Sequence, residues 1–146
     1  MTIYTIGFTK KTAEVFFETL KENKIELLID VRLNNKSQLA GFSKGVDLEY
    51  FLSVICNASY THCEEYAPTK DLLSSYQKGK TTWTEYETEF NKILETRGDY
   101  ISFQQKYDKF SRICLLCSEP TPEQCHRRLV AEKIKQVNPN IDIVHL

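Results

Sequence analysis

The run Ile25-Glu26-Leu27-Leu28-Ile29-Asp30-Val31 constrains the fold more than any other stretch, because it is apolar at nearly every position, on both sides of a strand's alternation. A strand that can hide both faces belongs in a parallel sheet with helices above and below it. Residues 112–117 (Arg-Ile-Cys-Leu-Leu-Cys) have the same character, and shorter strands are expected at Thr2–Gly7, Ser59–Cys63 and Ile141–His145. Helical spacing separates them: Ala13, Phe16, Phe17 and Leu20 after an N-cap at Thr12; Leu48, Phe51, Leu52 and Ile55 after one at Asp47; and a final helix over Pro122–Val137. The expected class is α/β, an open, mostly parallel sheet of about five strands with helices on both faces, Rossmann-like and three-layered.

Asn23 is expected to end the first helix in the left-handed conformation, and Leu33–Gly45 to form a long exposed loop at the carboxyl end of the second strand. A mainly helical insertion is expected at about 69–110. It holds a helix over Asp71–Lys78, a capping box at Thr82-Trp83-Thr84-Glu85 with a buried face of Trp83, Tyr86, Phe90 and Ile93, and an amphipathic segment marked by Tyr100, Phe103, Tyr107 and Phe110. These aromatic stripes read as core. The chain has 146 residues, 41% hydrophobic and 27% charged, which suits a single domain over 1–146. With 19 basic against 20 acidic residues, bulk charge gives no argument for nucleic-acid or membrane binding, so any anion site must be local. No apolar run approaches the roughly 18 residues of a membrane span and the first residues do not resemble a signal peptide, so the expected location is cytoplasmic. Five cysteines, odd in number and irregularly spaced, argue against a disulfide scaffold.

Reactive side chains are densest at Cys117-Ser118-Glu119-Pro120-Thr121-Pro122-Glu123-Gln124-Cys125-His126-Arg127, directly after an apolar strand. Thr121 as N-cap and Pro122 as first helical residue would place Cys125, His126 and Arg127 in the opening turns of the last helix, whose free N–H groups favour an anion. Cys117 and Glu119 should line that crevice. At 100° per residue His126 falls on the inward face, Arg127 on its border, Arg128 toward solvent and Cys125 at the opposite edge. His126 is then either a core histidine bonded to backbone or a catalytic group. Asp30 and Arg32, two apart at a strand end, share a face and can pair, orient a substrate, or both. Thr5 and Gly7 end the first strand, where Gly7 would admit a ligand or simply make a turn. A zinc site built on Cys114 and Cys117 is disfavoured, since positions three apart on a strand face opposite ways; no metal and no cofactor is expected. Cys117 and Cys125, near a helix N-terminus, remain candidate nucleophiles.

Tyr4-Thr5-Ile6-Gly7, Asp30-Val31-Arg32, Phe42-Ser43-Lys44, Leu115-Leu116-Cys117-Ser118-Glu119, Cys125-His126-Arg127 and Val144-His145-Leu146 together resemble the domain of unknown function 488 family, from the first strand to the last residue. The resemblance implies a small α/β domain with a site assembled from these segments, and no reaction. It carries over Asp30, Arg32, Cys117, Glu119, Cys125, His126 and Arg127, with Thr5 and Gly7 beside them. One departure is Phe8, where the family often has histidine.

The expected function is an enzyme. Asp30, Cys117, Glu119, Cys125 and His126 would supply acid–base or thiol chemistry, and Thr5, Gly7, Arg32 and Arg127 would hold an anionic substrate such as a nucleotide or a nucleic-acid-like group. The alternative is a noncatalytic module that binds a small anion, a nucleotide or a partner protein.

Overall fold

A computed structural model describes residues 1–36 and 40–146. Five strands form one all-parallel sheet in the order β3-β2-β4-β1-β5: β1 (Thr2–Gly7), β2 (Leu27–Asp30), β3 (Ser59–His62), β4 (Arg112–Cys117) and β5 (Asp142–His145). The continuous apolar runs are β4 at the centre of this order and its interior neighbour β2, as burial on both faces requires. Their alternate residues feed two separate cores. Ile3, Leu27, Ile29, Ile113, Leu115 and Cys117 face one side, and Tyr4, Ile6, Leu28, Cys114 and Leu116 the other. The first core is closed by α4 (Trp83–Arg97) and α6 (His126–Val137), the second by α1 (Ala13–Glu22) and α2 (Gly45–Phe51). Two short helices, α3 (Lys70–Gln77) and α5 (Phe103–Lys106), complete the β3-to-β4 crossover. No helix among the described residues is long and apolar enough to cross a membrane.

Local signals hold where a side chain closes its own turn. Thr12 accepts from the Val15 N–H, and the Thr82–Glu85 capping box forms in both directions. Elsewhere tertiary contacts move the boundaries. Asn23 is not left-handed (φ −82°); Lys24, one residue on, turns the chain at φ 52°. Helix α2 starts at Gly45, so Asp47 lies in its first turn, and a π turn over Leu52–Cys56 extends it to left-handed Asn57. Of the expected loop over 33–45, residues 37–39 lie outside the described residues; Gly41–Ser43 forms a short 3-10 turn in which Ser43 is buried. The inner stripe of α4 runs through Tyr86, Phe90 and Leu94 rather than Ile93. The aromatic segment after it breaks into a 3-10 turn at Asp99–Ser102 and α5, because Gly98 at φ 74° ends the helix.

The most consequential shift is at α6, which begins at His126 with Cys125 as its N-cap, not at Pro122 with Thr121. Cys125 is extended (φ −139°, ψ 135°) and its thiol is buried. A helix begun at Pro122 would not allow that backbone, so packing the sulfur inward outweighs the local capping signal.

Candidate functional site

Beyond the carboxyl ends of β2 and β4 lies a crevice of about 210 Å³. Open α/β sheets bind ligands at this edge, where loops diverge and helix N-termini point inward. Its floor is Cys117, the last residue of β4, with Cys125 and His126 from the start of α6; all three are buried. One wall is aromatic, made by Tyr76 from α3 and by Trp83 and Tyr86 from α4, and the rim carries Arg32, Asn34, Glu119 and Gln124.

Cys117 Sγ lies 3.5 Å from Nδ1 of His126, whose Nε2 is 2.7 Å from the Val31 carbonyl oxygen. A carbonyl only accepts, so Nε2 carries a proton toward Val31; the sulfur, 3.5 Å from Nδ1 and 3.8 Å from Nε2, lies over the face of the imidazole. Phe90 packs edge-on against the imidazole at 5.5 Å and holds its orientation. The Cys117 thiol is shifted below its ordinary value: the Cys125 thiol donates to it, the Ser118 and Glu119 N–H groups point at it, and Arg127 is near, which together outweigh burial. Burial and that same contact push Cys125 the other way. His126 thus combines both roles weighed for it, bonding to backbone and facing a reactive sulfur. The sulfurs of Cys117 and Cys125 and a ring nitrogen of His126 all lie within 4.8 Å of one another, a donor set that can hold a metal ion. Cys114, buried in the opposite core, takes no part, as its strand parity requires.

Asp30 and Arg32 do pair, but only Arg32 lines the crevice. Arg32 Nε and Nη2 donate to the two carboxylate oxygens at 2.9 and 2.7 Å, Nη2 also donates to the Ser43 carbonyl at 2.6 Å, and the Tyr60 hydroxyl donates to Asp30 at 2.8 Å. Phe8 stacks on the guanidinium at 5.1 Å. Burial disfavours the charged Arg32 and the Asp30 carboxylate more than offsets it. Asp30 is therefore enclosed behind Arg32, which reaches the rim of the crevice while most of its donors are engaged. Asp30→Asn, which leaves a buried guanidinium without its counter-charge, is expected to lower unfolding free energy by about 3–5 kcal/mol in urea titrations, and Tyr60→Phe by only about 1 kcal/mol. Equal effects would contradict the ion pair as the element that holds this loop.

Thr5, Gly7 and Arg127 form a third group that does not line the crevice. Thr5 Oγ1 is 2.7 Å from His145 Nδ1. Arg127 is fully buried; its Nη1 donates to the Glu119 carbonyl at 2.7 Å, and its Nε and Nη2 have no partner among the described residues. Gly7 is glycine for a reason other than a ligand or a turn: a Cβ there would stand 1.6 Å from the Glu119 carbonyl oxygen. Arg128, expected in solvent, bridges Glu132 and Glu87 with its side chain only 21% exposed. Glu119 itself is exposed on the rim. Of the nine candidate residues, the crevice gathers Cys117, Glu119, Cys125, His126 and Arg32. The aromatic wall was missed because Trp83 and Tyr86 share one stripe with core Phe90, and only the tyrosine at 76, outside that helix, hinted at a second surface.

These features define an α/β open-sheet protein with a thiol–imidazole crevice at the carboxyl edge of its sheet. The chain belongs to the family described as domain of unknown function DUF488, whose model matches residues 12–134. The matched span includes the crevice cluster and leaves β1 and β5 outside. No curated protein and no solved structure matches the chain.

Proposed function

We propose that the protein is an enzyme acting on a small, flat, polar-edged substrate, of the nucleobase or nucleotide type, held in the crevice. The observation that carries this is Cys117 beneath the crevice, its sulfur against the His126 imidazole at 3.5 Å and surrounded by donors that favour its thiolate. A buried thiol whose ionisation is favoured, placed beside an imidazole at the floor of a cleft, has the make-up of a reactive centre. Trp83 and Tyr86 stack at 5.2 Å with 19° between their planes, and Tyr76 closes on Trp83 at 5.8 Å. Such a wall suits a planar group, with Asn34, Gln77 and Gln124 available to its edges. Negative charge on the substrate would meet Arg32 at the rim. Glu119, exposed beside the sulfur, is the group placed to move protons to and from the substrate.

The test is turnover of nucleobases, nucleosides and nucleotides by the folded protein, followed by product mass. Glu119→Gln is expected to lower kcat about 100-fold with little change in KM, since the amide keeps the shape and loses the proton. Saturable binding of these compounds with no product, and the same affinity in Glu119→Gln, would overturn the enzymatic reading in favour of a binding module.

A further inference from the structure

We propose that Cys117, Cys125 and His126 form a binding site for one zinc-class divalent ion whose fourth coordination position opens into the crevice; this rests on the reading of the crevice as the reactive centre and names the cofactor it would take. Zinc bonds of about 2.3 Å to sulfur and about 2.0–2.1 Å to nitrogen, set tetrahedrally, put those two donor atoms about 3.5–3.6 Å apart. Cys117 Sγ and His126 Nδ1 are 3.5 Å apart, and the two sulfurs and a ring nitrogen all lie within 4.8 Å of one another. The three donors are within reach of one ion once the imidazole, whose face now meets the Cys117 sulfur, turns its Nδ1 edge toward the thiols.

Three further observations bear on the site. The Nε2–H of His126 donates to the Val31 carbonyl at 2.7 Å, an outer-shell arrangement that leaves Nδ1 free to coordinate. The N–H groups of Ser118 and Glu119 point at the Cys117 sulfur, as donors do around a bound thiolate. The extended backbone at Cys125, which costs α6 its expected first turn, is what brings the second sulfur to the cluster. Strand parity keeps Cys114 on the far side of the sheet, and the group of metal donors gathered here among the described residues is Cys117, Cys125 and His126. Three protein ligands facing a cavity are the pattern of a catalytic ion, whereas a structural ion takes four. Binding one divalent ion by two thiols and a neutral imidazole conserves charge by releasing up to two protons, so affinity should fall as the solution is acidified.

The experiment is titration of the reduced, folded chain with Co2+ alone, read by the sulfur-to-cobalt charge-transfer band in the near ultraviolet and the visible ligand-field bands of a tetrahedral ion. One equivalent is expected to saturate both, Zn2+ should displace it, and Cys125→Ala or His126→Gln should weaken binding at least about 10-fold. Cys114→Ser, on the opposite face, should leave the spectrum unchanged. Because a buried variant can fail to fold, the unmodified protein is also alkylated with and without Zn2+; protection confined to Cys117 and Cys125 supports the site. Absence of a charge-transfer band at one equivalent, or its survival in both ligand variants, overturns it. Failure here with turnover still dependent on Cys117 removes the ion and leaves the enzyme, while stoichiometric binding without turnover of any substrate does the reverse.

Discussion

Alanine at position 7 is expected to cost about 4 kcal/mol of stability, far more than a methyl group does at an ordinary strand end. The backbone of Gly7 is not in the left-handed region, so conformational freedom is not the reason for glycine there. The reason is contact. Gly7 pairs in register with Cys117, and the chain leaving β4 folds back so closely that an added Cβ would lie 1.6 Å from the Glu119 oxygen and 2.7 Å from its carbonyl carbon. Backbone has no rotamer to yield with. To admit the methyl, the 119–120 peptide must move, and its carbonyl is the only acceptor of Arg127 Nη1 among the described residues. Arg127 is fully buried with its Nε and Nη2 already unmatched, so the shift would leave a guanidinium with no acceptor at all. The two peptides just before it present the Ser118 and Glu119 N–H groups to Cys117, and the crevice should lose its shape together with its stability. Urea unfolding of Gly7→Ala measures the effect; a loss under about 1 kcal/mol would mean that the loop after β4 is free to move.

That loop also marks the limit of what the residues alone disclose. Strand parity is legible, because alternation is a property of a single strand: Cys114 and Cys117 fall in opposite cores as expected. Relative parity between strands is not legible, since it depends on register. Asp30 pairs with Leu116 and not with Cys117, so its carboxylate does not line the crevice floored by Cys117 and His126, and only Arg32 of that pair reaches it. Helix periodicity likewise placed His126 inward, but it assumed a helix from Pro122. The conformation of Cys125 depends on a contact with a residue eight positions earlier, which no capping rule contains. The aromatic wall has a different cause. Core and pocket use the same residue types, and one turn of α4 separates buried Tyr86 from Trp83 at the crevice.

Serine at position 117 is expected to lower turnover by about 1,000-fold or more while costing only about 1–3 kcal/mol of stability. The two side chains differ by one atom, and an Oγ can still donate to Nδ1 of His126, so the imidazole should keep its bond to Val31. What is lost is the sulfur's chemistry. A thiol in the company of the Cys125 S–H, two backbone N–H groups and Arg127 ionises more readily than a free one, whereas a serine hydroxyl in the same cradle remains protonated. It is then neither a competent nucleophile nor a good ligand for a soft ion, so the loss is the same whether Cys117 attacks the substrate or holds a metal. Cys114→Ser is the matched control. Its sulfur is as deeply buried, three residues earlier on the same strand, and its nearest acceptor is the Leu115 carbonyl at 3.9 Å. Serine there should cost similar stability and leave turnover within about 2-fold. Comparable losses of turnover at both positions would trace the effect to the core and not to the crevice. A Cys117→Ser protein retaining a tenth or more of its turnover would exclude the Cys117 sulfur from the chemistry and shift the test to Glu119 and Cys125.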